Sequence, residues 1–162
     1  MWIRFLKPIL FFIPLIIIQL VIIPMISVDN VAPNLIFILV VYYTLREGQI
    51  FGTLLGFILG FLFDLISGGL LGAYMFSFTI GAFITGYFYN ENKFDINLNS
   101  YFFLFILFVT SLISLFINAA VSGSTTNIDL LYLFFAGGLF PAVYTTIFGV
   151  PVVAFSSKKG IL

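Results

Sequence analysis

The stretch from Gln49 to Ile66 reads QIFGTLLGFILGFLFDLI, and Asp64 is its one charged residue. At about 1.5 Å per residue, a helix of this length is about 27 Å long, close to the ~30 Å thickness of the hydrocarbon layer of a bilayer. Gly52, Gly56, Gly60 and Asp64 are spaced four residues apart, so they lie on one helical face. The stretch therefore predicts a membrane-spanning helix with one face of small residues.

The composition of the whole chain agrees with this reading. Of the 162 residues, 62% are hydrophobic and 7% are charged, whereas soluble domains are about half apolar and about a quarter charged. A chain this short cannot hide such an excess in a single core. We therefore expect an integral membrane protein with one polytopic membrane domain over residues 1–162.

Charged and polar breaks divide the chain into further apolar runs. The fold class predicted is an all-α bundle of about six transmembrane helices. The second run is short, because its uncharged part ends at Leu45, so it must include Arg46 and Glu47 or cross only part of the bilayer. The predicted spans are residues 8–28, 31–47, 49–66, 70–89, 100–121 and 130–155.

The first run is expected to be a retained helix rather than a cleaved signal peptide. Its apolar length is too great for a signal peptide, and no small-x-small site closes it. Pro14 and Pro24 lie inside it, which predicts a kink or a break at these positions.

The basic residues all fall on one side of the predicted bundle. Loops on the other side carry Asp29, Asp64 and Asp129 but no lysine or arginine. The positive-inside rule therefore predicts a cytoplasmic position for both termini. The basic residues are Arg4 and Lys7 before the first span, Arg46 after the second, Lys93 after the fourth, and Lys158 and Lys159 after the sixth.

Several chemistries are disfavoured by the residue inventory. The chain has no cysteine and no histidine, so it lacks thiolate and imidazole ligands and the commonest general base. Its aspartates stand alone on their loops, and no basic patch could neutralise nucleic-acid phosphates. We expect no catalytic residues, no metal, no cofactor and no nucleic-acid partner.

Two interpretations of the glycine face remain open from the sequence. Gly52, Gly56 and Gly60 could pack against another helix of the same bundle, or they could form a docking face for a helix of another protein. Asp64 could likewise be an interfacial residue that marks a turn at Gly68 and Gly69. Alternatively, it could be a buried carboxylate that accepts hydrogen bonds from a neighbouring helix or from a partner protein.

The region from Pro33 to Gly72 resembles the family of the rod shape-determining protein MreD. The resemblance is carried by Pro33-Asn34 opening a helix, by Glu47-Gly48, by Gly52-x3-Gly56-Phe57-x2-Gly60-x-Leu62-x-Asp64, and by Gly72 after a short turn. Beyond Tyr89 the resemblance consists of the rhythm of spans, with Tyr144-Thr145 and Pro151 in the last one.

This resemblance implies a non-enzymatic scaffold in the bacterial inner membrane that helps determine cell shape during cell-wall elongation. The implied partners are an MreC-like single-span protein, MreB, a RodA-type glycosyltransferase, a class B penicillin-binding protein and membrane lipids. It also implies a fold similar to the substrate-binding membrane subunits of vitamin transporters. The rival function is such a subunit, for a vitamin, another small molecule or a lipid. A carrier needs convergent polar groups around a pocket, and the polar residues inside the spans are few and scattered.

Overall fold

The computed structural model describes residues 2–27, 31–90, 101–123 and 130–157, without the side chains of residues 2–5, 130 and 154–157. Several sequence predictions therefore concern residues outside the described part of the chain. They are Asp29, Asp129, the polar loop after residue 90, Lys93, Lys158 and Lys159, together with the side chain of Arg4.

Six helical segments make up the described ranges, which contain no β-strand. The all-α prediction is confirmed for them. We number the segments α1 (residues 2–26, comprising Trp2–Ile17, a π-helical turn Ile18–Ile22 and Ile23–Ile26), α2 (Leu35–Glu47), α3 (Gln49–Ser67), α4 (Ala73–Gly86), α5 (Tyr101–Ser122) and α6 (residues 130–157, comprising Leu130–Tyr132, a π-helical segment Leu133–Leu139 and Phe140–Ser157).

Four of these helices are long and apolar enough to cross a membrane, so the chain is a multi-pass membrane protein. The qualifying stretches are Leu6–Ile26, Gln49–Ser67, Tyr101–Ser122 and Leu133–Val153. The other two helices, α2 with 13 residues and α4 with 14, are about 20 Å and about 21 Å long. The described part of the chain thus contains six helices, while full crossing by α2 and α4 stays a prediction.

The predicted boundaries of spans two and four need correction at their starts. Span two was placed from residue 31, but α2 begins at Leu35 because Asn34 is extended and acts as its N-cap. Span four was placed from residue 70, but α4 begins at Ala73 because Gly72 has a left-handed φ of 98°. In both cases the local backbone, rather than the apolar composition, decides where the helix starts.

The proline-rich first helix does not break. Trp2–Ile17 passes through Pro8 and Pro14, and the chain remains helical through Pro24. The irregularity is instead the π-helical turn Ile18–Ile22. Pro24 has no N–H to donate to the carbonyl four residues earlier, so a wider turn is tolerated at that place.

The short helix α2 occupies the centre of the bundle. It contacts all five other helices, and eight of its 13 residues are buried. A helix that is apolar on all sides is expected to be buried in this way. Its Phe37 ring lies 5.4 Å from that of Phe78 on α4, inside a hydrophobic core that runs through α1 to α5. Because the other helices cover α2, its length need not match the bilayer.

Candidate functional site

The small-residue stripe of α3 (Gly52, Gly56 and Gly60) lies against two neighbouring helices. A Cβ atom added at Gly56 would lie 2.7 Å from the carbonyl oxygen of Phe78 on α4. One added at Gly60 would lie 2.7 Å from the carbonyl oxygen of Tyr74. A Cβ atom at Gly52 would come even closer to the side chain of Thr44 on α2. The absence of side chains thus allows the backbone of α4 to approach α3 directly.

Asp64 lies at the end of the same face and is 1% exposed. Its carboxylate accepts three backbone hydrogen bonds. Oδ2 accepts from the amide of Gly72 at 3.0 Å and from that of Met75 at 3.0 Å, and Oδ1 accepts from the amide of Tyr74 at 3.1 Å. All three donors belong to the first turn of α4. Asp64 therefore caps the N-terminus of the following helix from the end of its own.

This arrangement replaces a cap that α4 cannot make locally. The N-cap residue, Gly72, has no side chain, and its φ of 98° suits glycine. The first amides of a helix have no intrahelical acceptor, and the helix dipole favours negative charge at that end.

The turn between α3 and α4 is built by glycines. Gly68 ends α3 in the left-handed region with a φ of 68°, and Gly72 repeats that conformation before α4 begins. These two reversals bring α4 back along α3, so that the ring of Tyr74 packs edge-on against Phe63 with centroids 4.6 Å apart. The aromatic pair helps to keep the Asp64 carboxylate out of lipid and water.

A second polar cluster lies where α2 begins. Asn34 Oδ1 accepts from the amide of Phe37 at 3.0 Å, which caps the helix, and the amide of Asn34 donates to Thr145 Oγ1 at 3.0 Å. Gln19 uses both ends of its side chain, accepting from the amide of Leu35 at 2.9 Å and donating to the carbonyl of Pro33 at 2.8 Å. This Gln19–Asn34–Thr145 cluster connects α1, α2 and α6.

The π-helical turn of α1 contains Gln19, so the irregular part of α1 faces the irregular start of α2. Non-helical backbone at membrane depth is tolerated when protein groups satisfy it. From the sequence, Gln19 was one of the few scattered polar residues inside the spans, and Thr145 was part of the family resemblance in the last span. The sequence signal that pointed to Gln19 was its single amide side chain within an otherwise apolar run. Asn34 and Thr145 are 111 residues apart along the chain, so the sequence could not show that they meet.

The remaining residues of the family motif lie at the opposite end of α3. Gly48 separates α2 from α3 with a φ of 100°, and a Cβ atom there would contact the ring of Tyr89 at 3.5 Å. Beside it, Arg46 Nε lies 3.4 Å from Glu47 Oε1. Sixteen residues of helix separate Gly48 from Asp64, about 24 Å. The predicted site residues therefore lie in three separate places and do not line one pocket.

Hydrogen bonds between side chains and backbone also join α5 to α4 and provide a further link between α3 and α4. Ser114 Oγ on α5 donates to the carbonyl of Ser77 on α4 at 2.9 Å. Gln49 Nε2 on α3 donates to the carbonyl of Phe83 on α4 at 2.9 Å. Within the described ranges there is no group of three or more acidic, cysteine or histidine residues that could hold a metal. Some polar groups of the bundle connect helices in this way, while most of its serine and threonine hydroxyls donate to a carbonyl of their own helix.

An open groove of about 410 Å³ lies between α1, α2 and α6. Its walls are mostly apolar, and its polar side chains are concentrated near the end of α2. The lining residues are Phe11, Leu15, Leu35, Ile38, Leu39, Tyr42, Tyr43, Arg46, Phe148 and Val152.

Comparison with known proteins gives one match. The family model described as rod shape-determining protein MreD matches residues 1–126. No curated protein and no solved structure gives a significant match to the chain. The matched region contains α1 to α5 and all eight residues singled out from the sequence, whereas α6 lies beyond it.

Proposed function

The chain belongs to the MreD family of rod shape-determining proteins, and on that premise we propose that it is a non-enzymatic scaffold of the cell-wall elongation machinery in the inner membrane. In this proposal it binds an MreC-like single-span protein and holds wall-synthesis proteins nearby. The observation that carries the proposal is the family match over residues 1–126, which is more than three quarters of the chain.

The architecture supports a scaffold. Helix ends are held by hydrogen bonds that cross between helices. Asp64 joins α3 to α4, and the Gln19–Asn34–Thr145 cluster joins α1 to α2 and α2 to α6. Such bonds restrict relative motion of the helices, because breaking them leaves backbone groups unsatisfied in an apolar medium. A rigid bundle presents fixed helix surfaces to partners in the membrane.

We propose that the stripe and the family-motif residues act within the bundle. Gly52, Gly56, Gly60 and Asp64 join α3 to α2 and α4, while Pro33, Asn34, Gly48 and Gly72 shape the ends of the helices. The support is that each glycine of the stripe already lies at close range against another helix of this chain. Partners would then meet other, lipid-facing surfaces.

The proposed orientation has both termini in the cytoplasm. Phe11 and Leu15 of α1 line the same groove as Tyr42 and Arg46 of α2. The first half of α1 therefore runs beside the last half of α2, which brings Lys7 and Arg46 toward the same end of the bundle. This supports a shared cytoplasmic side for the basic residues.

Depletion of the protein in its host tests the proposal, with the intact gene in trans as the control. We expect rounded or widened cells, and we expect the MreC-like protein to co-purify from gently solubilised membranes. Normal rods after clean depletion, together with a new requirement for a vitamin, would reject the scaffold in favour of a carrier.

A further inference from the structure

The groove between α1, α2 and α6 is open rather than enclosed. Tyr144 Oη on α6 donates to the carbonyl of Ile26, the last residue of α1, at 2.8 Å. Further along, α1 and α6 lie on either side of α2, with Phe11 on one wall and Phe148 on the other. The floor is α2.

Polarity changes along the floor of the groove. Leu35, Ile38 and Leu39 come first, and Tyr43 and Arg46 come last. The helix rises about 16 Å from Leu35 to Arg46, which is close to the ~15 Å depth of one leaflet's hydrocarbon. A molecule that fits this groove has an apolar part of one leaflet's depth and a polar end beside Arg46.

Arg46 selects the charge of that polar end. Its side chain is 42% exposed, and its Nε lies 3.4 Å from Glu47 Oε1. A guanidinium has five N–H donors, and Nε carries one of them. The terminal nitrogens match the oxygens of a phosphate in a planar, two-pronged geometry.

We propose that the groove binds an anionic phospholipid, with one acyl chain between α1 and α6 and the phosphate at Arg46. The Arg46 side chain at one end of the groove favours a ligand with an anionic end over the apolar face of a partner helix. The groove holds about 410 Å³, a size typical of small-ligand sites. This lipid binding does not depend on which protein partners the bundle has. Its assignment to the cytoplasmic leaflet rests on the proposed orientation.

Binding can be measured on the purified full chain in detergent by native mass spectrometry. The probes are phosphatidylglycerol and phosphatidylcholine with identical acyl chains. We expect phosphatidylglycerol to bind more tightly, and Arg46→Gln to raise its Kd about tenfold, as loss of a charge-assisted hydrogen bond predicts. Phosphatidylcholine binding should change little. Equal binding of both lipids to the unaltered protein would overturn the proposal.

Lys7→Gln is the matched control, because Lys7 is an exposed cation that does not line the groove. It should leave the Kd unchanged. If Lys7→Gln weakens binding as much as Arg46→Gln does, the lipid is attracted by general surface charge, and the groove is not its site.

A second pair of variants tests the acyl chain. Leu39→Trp fills the floor of the groove and should weaken binding of both lipids, whereas Val150→Trp, on a part of α6 outside the groove, should not. Unchanged binding by a folded Leu39→Trp protein contradicts the proposed path of the chain. If Leu39→Trp does not fold, the comparison of Arg46→Gln with Lys7→Gln tests the proposal instead.

Discussion

Asp64 Oδ2 on α3 lies 3.0 Å from the amide nitrogen of Gly72, the N-cap residue of α4. Two residues eight positions apart thus connect the end of one helix to the start of the next. The carboxylate supplies the acceptor that a glycine N-cap lacks. Asp64 itself is only 1% exposed. The α3–α4 pair is therefore joined at its turn by charge-assisted hydrogen bonds as well as by packing.

Replacement of Asp64 should destabilise the bundle. Asp64→Ala leaves three buried N–H groups at the start of α4 without their acceptor, so we expect a loss of about 2–5 kcal/mol in the free energy of unfolding. Asp64→Asn keeps the shape and one acceptor oxygen and should cost less. Thermal unfolding in detergent measures both.

Thr79→Ala is a suitable control for Asp64, since Thr79 Oγ1 bonds only within α4, to the carbonyl of Met75. Its effect should be well below that of Asp64→Ala. A melting temperature that stays the same in Asp64→Ala would show that the cap contributes nothing to stability.

Overpacking of the stripe should also destabilise the protein. Gly56→Leu places four carbons where the backbones of α3 and α4 meet, and we expect a cost of about 1–3 kcal/mol and a lower folded yield. Phe57→Leu, on a side chain that is 47% exposed, should change the yield little. Gel filtration of the protein expressed alone compares them.

Co-purification of a partner distinguishes the two interpretations of the stripe, internal packing and docking of another protein. Normal accumulation of Gly56→Leu combined with loss of the co-purified MreC-like protein would indicate a docking face. Unchanged yield and unchanged recovery would mean that the stripe faces lipid, contrary to the contacts described above.

The Gln19–Asn34–Thr145 cluster should protect the start of α2. Gln19→Leu removes the acceptor for the amide of Leu35 and the donor to the carbonyl of Pro33. Each unsatisfied buried group costs about 1–3 kcal/mol, so hydrogen exchange at the amide of Leu35 should accelerate. Val21→Leu, at an exposed position of α1, serves as the comparison, and equal exchange in both variants would exclude the role assigned to Gln19.

The orientation can be tested with reporter fusions. Fusions after Lys159 and within residues 90–99 should both report the cytoplasm, because the basic residues of the predicted loops share one side. A periplasmic signal from either fusion would require a different number of crossings or the opposite orientation.

From the sequence alone, apolar length and the positions of charged residues were enough to predict six helices in a membrane. A helix needs no distant partner to satisfy its backbone, so such local patterns suffice. The four-residue spacing likewise placed Gly52, Gly56, Gly60 and Asp64 on one face, because the helical repeat alone determines which residues share a face.

The tertiary structure decided what those residues touch. The hydrogen bond between Asp64 and Gly72 depends on two glycines in the left-handed conformation. The hydrogen bond between Asn34 and Thr145 joins residues that are 111 positions apart in the sequence. The central position of α2 also could not be predicted, since its shortness was compatible with partial insertion. Contacts between distant helices depend on how all six pack together, and no local pattern of residues encodes that arrangement by itself.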